Sequence, residues 1–506
     1  MRGEVSNAAD RARRFGLAAI AGSSLLAFSL FGSALLLVAT RARAYEARVE
    51  ASLDGQYYSL GSPFGHPYLQ RQRYTSTLGL ELDRLEGSAT TGKRRGAELW
   101  FRSRLRVDAD FGQENAERDP SSNRFIPGLE QAPLELMYGY LEGRGFVGGL
   151  FGFRLGRQYL VDALGYWSFD GARVELTLPI HLALSGFAGF EQRSGLPTLS
   201  AGRFGADGVW RGNRDGLELG QYPAFLEESA LAPAAGAELE VVGLQSFHSK
   251  LSYRKVENHS AVLVSPFFDG NDGLRFYRGA RTSSERVGYS AQVDVAELGA
   301  ANGHAVYDLY NQLLSDAAIG LNVYATPSLS VGVDVDYYYP TFDGDSIFNW
   351  FTHDGMTTAE GRVSYVPKGP VDVSLSSGVR WFDTAGRDLL AGASGRYRFG
   401  PGSVALDARA EYGEIGHRVG GGLTTRRLFA GGRYDTLISA SAYDWDDALR
   451  PSRSATSFTY VLGGGIRPGP GFISRGRLGF EWEQTMNRLV GQRFRMLVTL
   501  DFTVLK

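Results

Sequence analysis

The chain of 506 residues contains no cysteine, very little lysine, and no long apolar run after residue 40. The lack of cysteine excludes a disulfide scaffold, an iron–sulfur protein and a cysteine-ligated zinc site. No later stretch reaches the roughly 18 apolar residues that a membrane helix needs. The chain also lacks an excess of one charge, because it has 53 basic and 55 acidic residues. Without an excess of basic residues, we expect no nucleic-acid partner.

The N-terminal segment has the order of features found in an export signal. Four arginines precede an uncharged, apolar-rich run over residues 15–40, and Ala42-Arg43-Ala44 follows it as a small-x-small cleavage pattern. The sequence therefore predicts a signal peptide over residues 1–44 and an exported chain over residues 45–506. An uncleaved membrane anchor is the alternative, since the run exceeds a usual signal core of about 7 to 15 residues.

Most of the remaining chain alternates between apolar and polar residues with a period of two. The pattern recurs in residues 328–337, 371–376, 404–412 and 493–504. Helical spacing fits these segments poorly, so we predict strands of about 10 residues with one apolar and one polar face. In the first segment the apolar face carries Leu329, Val331, Val333, Val335 and Tyr337.

The connections between these segments alternate between short and long. Short proline- or glycine-bearing turns lie at residues 142–145, 179–181, 326–328, 367–370, 400–403 and 468–471. Longer polar connections lie at residues 110–132, 192–234, 258–285, 340–355, 446–454 and 485–491. Short periplasmic turns at one end and long external loops at the other are typical of outer-membrane barrels.

Together these patterns predict an all-β fold, a transmembrane antiparallel up-and-down β-barrel of about 22 strands, within a range of 18 to 22. Residues 45–506 form this single domain. Lipid leaves backbone groups unsatisfied, so a spanning sheet must close on itself. A lipid-facing arginine costs about 2–4 kcal/mol, and Arg102, Arg104, Arg106 and Arg173 lie opposite the apolar residues of their strands. The alternative is a soluble all-β protein with the apolar faces in a core.

Over residues 45–506 the chain resembles Gram-negative outer-membrane barrels of the porin type. A local segment, Phe153 to Gln158 followed by Phe169 to Arg173, resembles a Leu-Gly-Arg-Gln then Asp-Gly-x-Arg pattern of alginate-export-like and related substrate-specific porins. The resemblance implies that Arg154, Arg157 and Arg173 line the pore and meet an anionic or hydroxyl-rich solute. The alternative is that they are ordinary lumen residues paired with Asp170 and Glu175.

The resemblance also implies outer-membrane lipid and the barrel-assembly machinery as partners. Barrels of this class usually end on an aromatic residue that the machinery reads. Here Phe502 is followed by four further residues, so this signal is displaced.

The candidate site residues are charged groups in the bore. A wall of arginines would favour anions if unpaired, whereas paired arginines would form ion-pair networks. A charged loop over residues 192–234 would form a constriction if it folds inward, and a surface loop if it folds outward. The wall candidates are Arg102, Arg104, Arg106, Arg154, Arg157, Arg173, Arg409, Arg477, Arg493 and Arg495, and the loop candidates are Arg203, Asp207, Arg211, Arg214 and Asp215.

Signatures of catalysis are absent from the sequence. It has no Gly-x-Ser-x-Gly elbow, His-Glu-x-x-His helix or Walker loop. Asp269, Asn271 and Asp272 hint at calcium, but Ala280 stands where a calcium loop needs glutamate. We predict no enzyme activity, no metal site and no cofactor.

Two functions of different classes remain. The leading hypothesis is a channel for passive or substrate-selective passage of small hydrophilic or anionic solutes, a saccharide included. The alternative is a non-transport barrel that acts as a structural scaffold, a sleeve or a surface-adhesion protein. A channel predicts ion conductance in a bilayer, and a scaffold predicts a plugged lumen.

Overall fold

The structure is a computed structural model, and it describes most of the chain between Glu46 and Leu505. The predicted signal peptide over residues 1–44 lies outside the described residues. The described ranges are residues 46–61, 67–85, 96–110, 134–192, 203–204, 210–211, 232–258, 262–264, 275–277, 280–341, 354–414, 416–447, 454–467, 475–487 and 491–505.

The main sheet contains 22 strands. Within the described ranges no helix is long and apolar enough to cross a membrane. In chain order the strands are β1 (Glu46–Gly61), β2 (Pro67–Asp83), β3 (Glu98–Asp110), β4 (Leu134–Gly145), β5 (Phe151–Asp162), β6 (Gly165–Leu178), β7 (Leu182–Glu191), β8 (Pro233–Val241), β9 (Phe247–Asn258), β10 (Arg281–Val295), β11 (Gly299–Asp308), β12 (Leu313–Thr326), β13 (Leu329–Tyr338), β14 (Met356–Tyr365), β15 (Val371–Phe382), β16 (Gly386–Phe399), β17 (Gly402–Gly413), β18 (Gly416–Phe429), β19 (Tyr434–Asp447), β20 (Ser454–Ile466), β21 (Arg475–Asn487) and β22 (Gly491–Leu505).

The sheet closes on itself. Each strand pairs antiparallel with its neighbours in the chain, and β1 pairs with both β2 and β22. Val49 is opposite Leu80 on one side and Val504 on the other. A closed ladder leaves no edge strand with unpaired backbone groups. The predicted up-and-down barrel is therefore confirmed, with the strand number at the upper end of the expected range.

The two ends of the barrel differ as the turn pattern predicted. All six short turns follow an even-numbered strand, and all six long connections follow an odd-numbered one. Single turns of helix at Phe146–Gly149 and Ala430–Gly432 lie within short connections at the turn end. Both described ends of the chain, Glu46 and Leu505, lie at this same end.

The apolar face of the sheet is the exposed face. Ile319 is 65% exposed and Leu321 is 52% exposed. Asp316 of the same strand and Asp334 of β13 instead form ion pairs on the other side of the sheet. In a soluble β-protein such side chains would fill a core. An apolar outer belt over a closed sheet is what a bilayer requires, so the membrane barrel is confirmed over the soluble alternative.

Aromatic residues near the strand ends divide between the two faces. Trp381 and Phe480 lie on the exposed apolar face, which is typical of an interfacial girdle. Tyr443 and Trp445 face the lumen instead, because alternation from the exposed Ile438 turns both of them inward. There they line a cleft with serine, threonine and charged side chains.

Lipid-facing and lumen-facing positions of one strand should respond differently to the same charge. We expect Ile319→Arg to destabilise the barrel by about 2–4 kcal/mol, because Ile319 faces lipid at mid-strand. Ala318→Arg is the matched control. Ala318 points into the lumen opposite His304 and Asp336, so the new charge stays in water.

The measurement is urea unfolding of both variants in lipid vesicles, followed by tryptophan fluorescence. Equal destabilisation of the two variants would contradict the assignment of the two faces.

Candidate functional site: charged lumen wall and inward hairpin

The arginines predicted to line the pore on β3 face the lumen. The Arg102 guanidinium lies 2.8 Å from a Glu81 carboxylate oxygen. Arg104 donates a hydrogen bond of 3.2 Å to the Thr77 hydroxyl. Arg106 shares their face by alternation. These side chains form polar tracks across β2 and β3.

A second set of charges lies on β4, β5 and β6. The Glu142 carboxylate, only 4% exposed, accepts from Arg144 at 2.7 Å and from Arg154 at 3.0 Å. Arg154 and Arg173 are directly opposite each other in the ladder. A cleft of about 220 Å³ lies between these four residues and Glu175.

The third set is centred on Glu238 of β8, whose side chain is 2% exposed. Arg173 and Lys250 each approach its carboxylate to 2.6 Å from opposite sides. The Ser185 hydroxyl donates a further hydrogen bond of 2.8 Å. One carboxylate thus ties β6, β7, β8 and β9 together on the lumen side.

Further ion pairs lie on the other side of the bore. Arg477 of β21 reaches Asp435 of β19 at 2.9 Å by crossing over β20 at Gly465. A Cβ atom on Gly465 would lie 2.8 Å from the Asp435 Oδ2 atom, so only glycine leaves room for this pair. Arg495 pairs with Glu483 at 3.2 Å.

Five of the ten predicted wall arginines therefore pair with carboxylates on the lumen side. The ion-pair alternative that the sequence left open describes Arg102, Arg154, Arg173, Arg477 and Arg495, each of which has a carboxylate partner. Two further predicted positions, Arg409 and Arg493, are described less fully. Arg409 lies on the lumen face of β17 by alternation, and the Arg493 side chain is outside the described part. Whether these arginines contact a solute stays a prediction.

The outer half of the β5–β6 hairpin leaves the barrel wall and enters the lumen. Pairing of β5 with β4 ends at Arg157, directly after Gly156, which has a φ of 122°. Beyond that bend Tyr159 contacts the lumen-facing Tyr138, with ring centroids 5.6 Å apart. Alternation alone would put Tyr159 on the lipid face. We call residues 156–171 the inward hairpin.

The tip of the inward hairpin reaches strands well beyond its sequence neighbours. Arg254 of β9 donates a hydrogen bond of 3.2 Å to the Leu164 carbonyl oxygen. The Leu164 side chain lies against Gly288 of β10, where a Cβ atom would approach it to 2.7 Å. These contacts join the tip to strands three and four positions beyond β6, and only the lumen side offers that path.

An apolar cluster fixes the inward hairpin to the wall. Trp167 stacks on Phe169 at 4.6 Å, and both rings lie 5.4 Å from Phe187. The Trp167 indole N–H donates to the Glu191 carboxylate at 2.9 Å. Phe169 is completely buried. The cluster consists of Leu160, Trp167, Phe169, Phe187, Ala232, Ala234 and Val256.

Sequence reasoning missed this hairpin, although a signal was present. Trp167 and Phe169 share their strand face with Arg173, so large apolar residues stand where the pattern requires polar ones. In a barrel whose lumen is polar, such residues need a second layer to cover them.

Arg157 behaves differently from the other two arginines of the local resemblance. It makes a two-pronged pair with Asp170, both nitrogen–oxygen distances being 2.7 Å, and donates to the Leu136 carbonyl at 3.0 Å. Alternation places it on the face opposite Arg154. The three arginines therefore do not form one cluster, and Arg157 braces the hairpin bend.

The predicted constriction loop is described only in part. Arg203–Phe204 pairs with Trp210–Arg211 in a short two-stranded ladder. Asp207, Arg214 and Asp215 lie outside the described residues, as do the side chains of Arg203 and Arg211. The expectation for this loop stays a prediction, and the described narrowing element is the inward hairpin.

Metal ligation has no candidate in the described residues, where no group of three or more histidine, aspartate or glutamate side chains converges. The acidic segment with Asp269, Asn271 and Asp272 lies outside the described ranges.

Comparison with known proteins finds similarity at the level of overall shape. No family model matches the chain, and no curated protein matches it. Three solved structures align over nearly their full length. Acinetobacter baumannii OccAB4 is 8% identical with a TM-score of 0.42, covering 92% of this chain and 99% of that one. Pseudomonas aeruginosa OpdQ is 9% identical with a TM-score of 0.42, covering 92% and 100%. The P pilus usher (PapC) translocation pore is 11% identical with a TM-score of 0.41, covering 90% and 99%.

These scores are low, so the assignment of class depends on the barrel itself. A closed antiparallel ladder of 22 strands, an apolar outer belt and a charged lumen wall define an outer-membrane β-barrel of the porin type. The chain accordingly resides in a Gram-negative outer membrane.

The Glu238 network predicts a large difference between two carboxylates that both contact Arg173. Glu238→Gln should destabilise the barrel by about 3 kcal/mol or more, because Arg173 and Lys250, whose side chains are only 13% and 15% exposed, lose the carboxylate that they share. Glu175→Gln should cost less than about 1 kcal/mol, since Glu175 is 46% exposed and 3.7 Å from Arg173. Urea unfolding in vesicles measures both, and equal costs would contradict the central place of Glu238.

The bend at Gly156 predicts a second difference. In Gly156→Ala the new Cβ atom would lie 2.4 Å from the Gly139 carbonyl oxygen, at a φ of 122°. We expect a loss of about 1–3 kcal/mol from backbone strain. Gly361→Ala, whose Cβ would have its nearest neighbour at 3.9 Å, is the matched control. Similar unfolding free energies for the two variants would contradict the predicted clash of the alanine Cβ atom at the bend.

Proposed function

We propose that the protein is an outer-membrane channel for passive or substrate-selective passage of small hydrophilic solutes, anionic ones included. The observation that carries the proposal is a charged lumen wall narrowed on one side by the inward hairpin. A barrel of this strand number encloses a bore wide enough for water, so selectivity needs an element that narrows it. The inward hairpin supplies such an element from the wall itself.

The charges of the wall bear on what would pass. Glu142 and Glu238 are each shared between two cations, and Arg102, Arg477 and Arg495 have their own carboxylates. A one-to-one pair produces little net field, whereas a carboxylate shared between two cations leaves a positive charge. This supports a hydrophilic path with a weak preference for anions.

The wall also favours a channel over a scaffold. Arg362 and Asp334 form a pair at 2.9 Å while remaining 51% and 49% exposed. Half-exposed ion pairs complete their hydrogen bonding with water, which suits an aqueous bore better than a bore packed with another envelope component. Insertion by the barrel-assembly machinery stays a prediction of the class resemblance.

Single-channel recording of the purified protein in planar bilayers tests the proposal. We expect stepwise conductance with a small reversal potential under a salt gradient. Arg154→Ala should shift the reversal potential toward cation preference, and Glu175→Gln should shift it toward anion preference, because both groups line the cleft at the turn end of the wall.

Arg427→Ala is the control, since Arg427 lies on the outer face of β18 by alternation with the exposed Leu423. It should leave the reversal potential unchanged. Membrane insertion without conductance would instead support the scaffold alternative.

A further inference from the structure

Four tyrosines form a continuous path along the inward hairpin and the adjacent wall. Tyr166 and Tyr159 lie with ring centroids 5.8 Å apart, Tyr159 and Tyr138 5.6 Å apart, and Tyr138 and Tyr140 6.0 Å apart. We call Tyr166, Tyr159, Tyr138 and Tyr140 the tyrosine ladder. It exists only because the bend at Gly156 brings two strand faces together that alternation would separate.

The ladder runs from the loop end of the bore toward the turn end. Tyr166 lies beside the β5–β6 turn and is 68% exposed, and Tyr159 is 38% exposed. Tyr138 is half-buried, and Tyr140 is only 6% exposed beneath Arg154, whose guanidinium carbon lies 5.6 Å from the ring centroid. Three accessible rings thus lead to a closed floor, which continues into the cleft at Glu142.

Hydrogen-bonding groups accompany the rings at each step. Arg104 contacts the Tyr138 hydroxyl, and Arg102 contacts the Tyr140 hydroxyl. Below them, Glu142 is held between Arg144 and Arg154 and is itself only 4% exposed. The acceptor open to the cleft is Glu175, which is 46% exposed.

This combination matches a pyranose chain. A sugar ring has an apolar face of C–H groups that packs on an aromatic ring, and a rim of hydroxyls that both donate and accept. Arginine and carboxylate groups suit such a rim, because donors and acceptors lie side by side. Ring-to-ring steps of this size are close to the length of one sugar unit, and the ring planes turn by 26°, 59° and 43° from one tyrosine to the next.

We propose that the tyrosine ladder is a binding track for a linear oligosaccharide, a proposal that rests on the channel function proposed above. Tyr166 and Tyr159 receive the sugar faces at the loop end. Tyr138 continues the track, and the hydroxyls of the leading sugar reach the cleft that Arg154 and Glu175 line. The inward hairpin then determines specificity as well as width.

Block of ion current by maltohexaose tests the track in the purified full-length protein. We expect maltohexaose to interrupt the current at a much lower concentration than polyethylene glycol of equal mass, which has no rings. Tyr159→Ala and Tyr166→Ala should each raise the half-blocking concentration by about fivefold, as loss of one aromatic contact requires. Tyr159→Phe keeps the ring and should retain the block.

Tyr397→Ala is the matched control, because Tyr397 is 51% exposed on the lipid face. Equal block by maltohexaose and polyethylene glycol, or block unchanged in both alanine variants, would overturn the track.

The two proposals fail in distinguishable ways. Conductance without sugar-specific block removes the track and leaves the channel. If the protein inserts without conducting, isothermal calorimetry with maltohexaose on the detergent-solubilised protein tests binding to the track independently of conductance. Binding that weakens in Tyr159→Ala would support it, and no binding would overturn it.

Discussion

The pairing of β1 with β22 is the contact on which the rest of the structure depends. Thirteen residue pairs, from Arg48 opposite Leu505 to Leu60 opposite Arg493, join the first strand to the last. Without them the sheet would have two open edges, and in lipid each unsatisfied backbone group costs several kcal/mol. Closure fixes which face points to lipid and which to the lumen, and therefore gives every strand residue its environment.

Inside that closed wall, the shape of the lumen depends on one irregularity, the bend in β5. Gly156 lets β5 turn away from β4, and the outer half of the hairpin folds over β7, β8 and β9. One face of the inward hairpin packs Trp167 and Phe169 against the wall. The opposite face of the hairpin points toward the bore and carries Tyr159. A single bend thus creates a buried cluster, narrows the lumen and joins tyrosines from two strands.

Much of the fold was predictable because its signals are local. Alternation over residues 328–337 and the turns at residues 179–181 and 400–403 depend on nearest neighbours in the chain, and all of them are confirmed. The candidate site was less predictable. Alternation placed Arg102, Arg154 and Arg173 on the polar faces, but pairing between strands far apart in sequence decides whether a charge is compensated. Arg173 and Glu238 are separated by 65 residues.

The sequence by itself determined the class of fold, the order of short and long connections, and which residues can face lipid, because period-two patterning and turn chemistry act within about ten residues. Tertiary structure decided which lumen arginines are paired, and that Arg157 braces a bend rather than joining Arg154. It also decided that the hairpin enters the bore. Those outcomes depend on which strands closure brings face to face, and no pattern along a single strand records that.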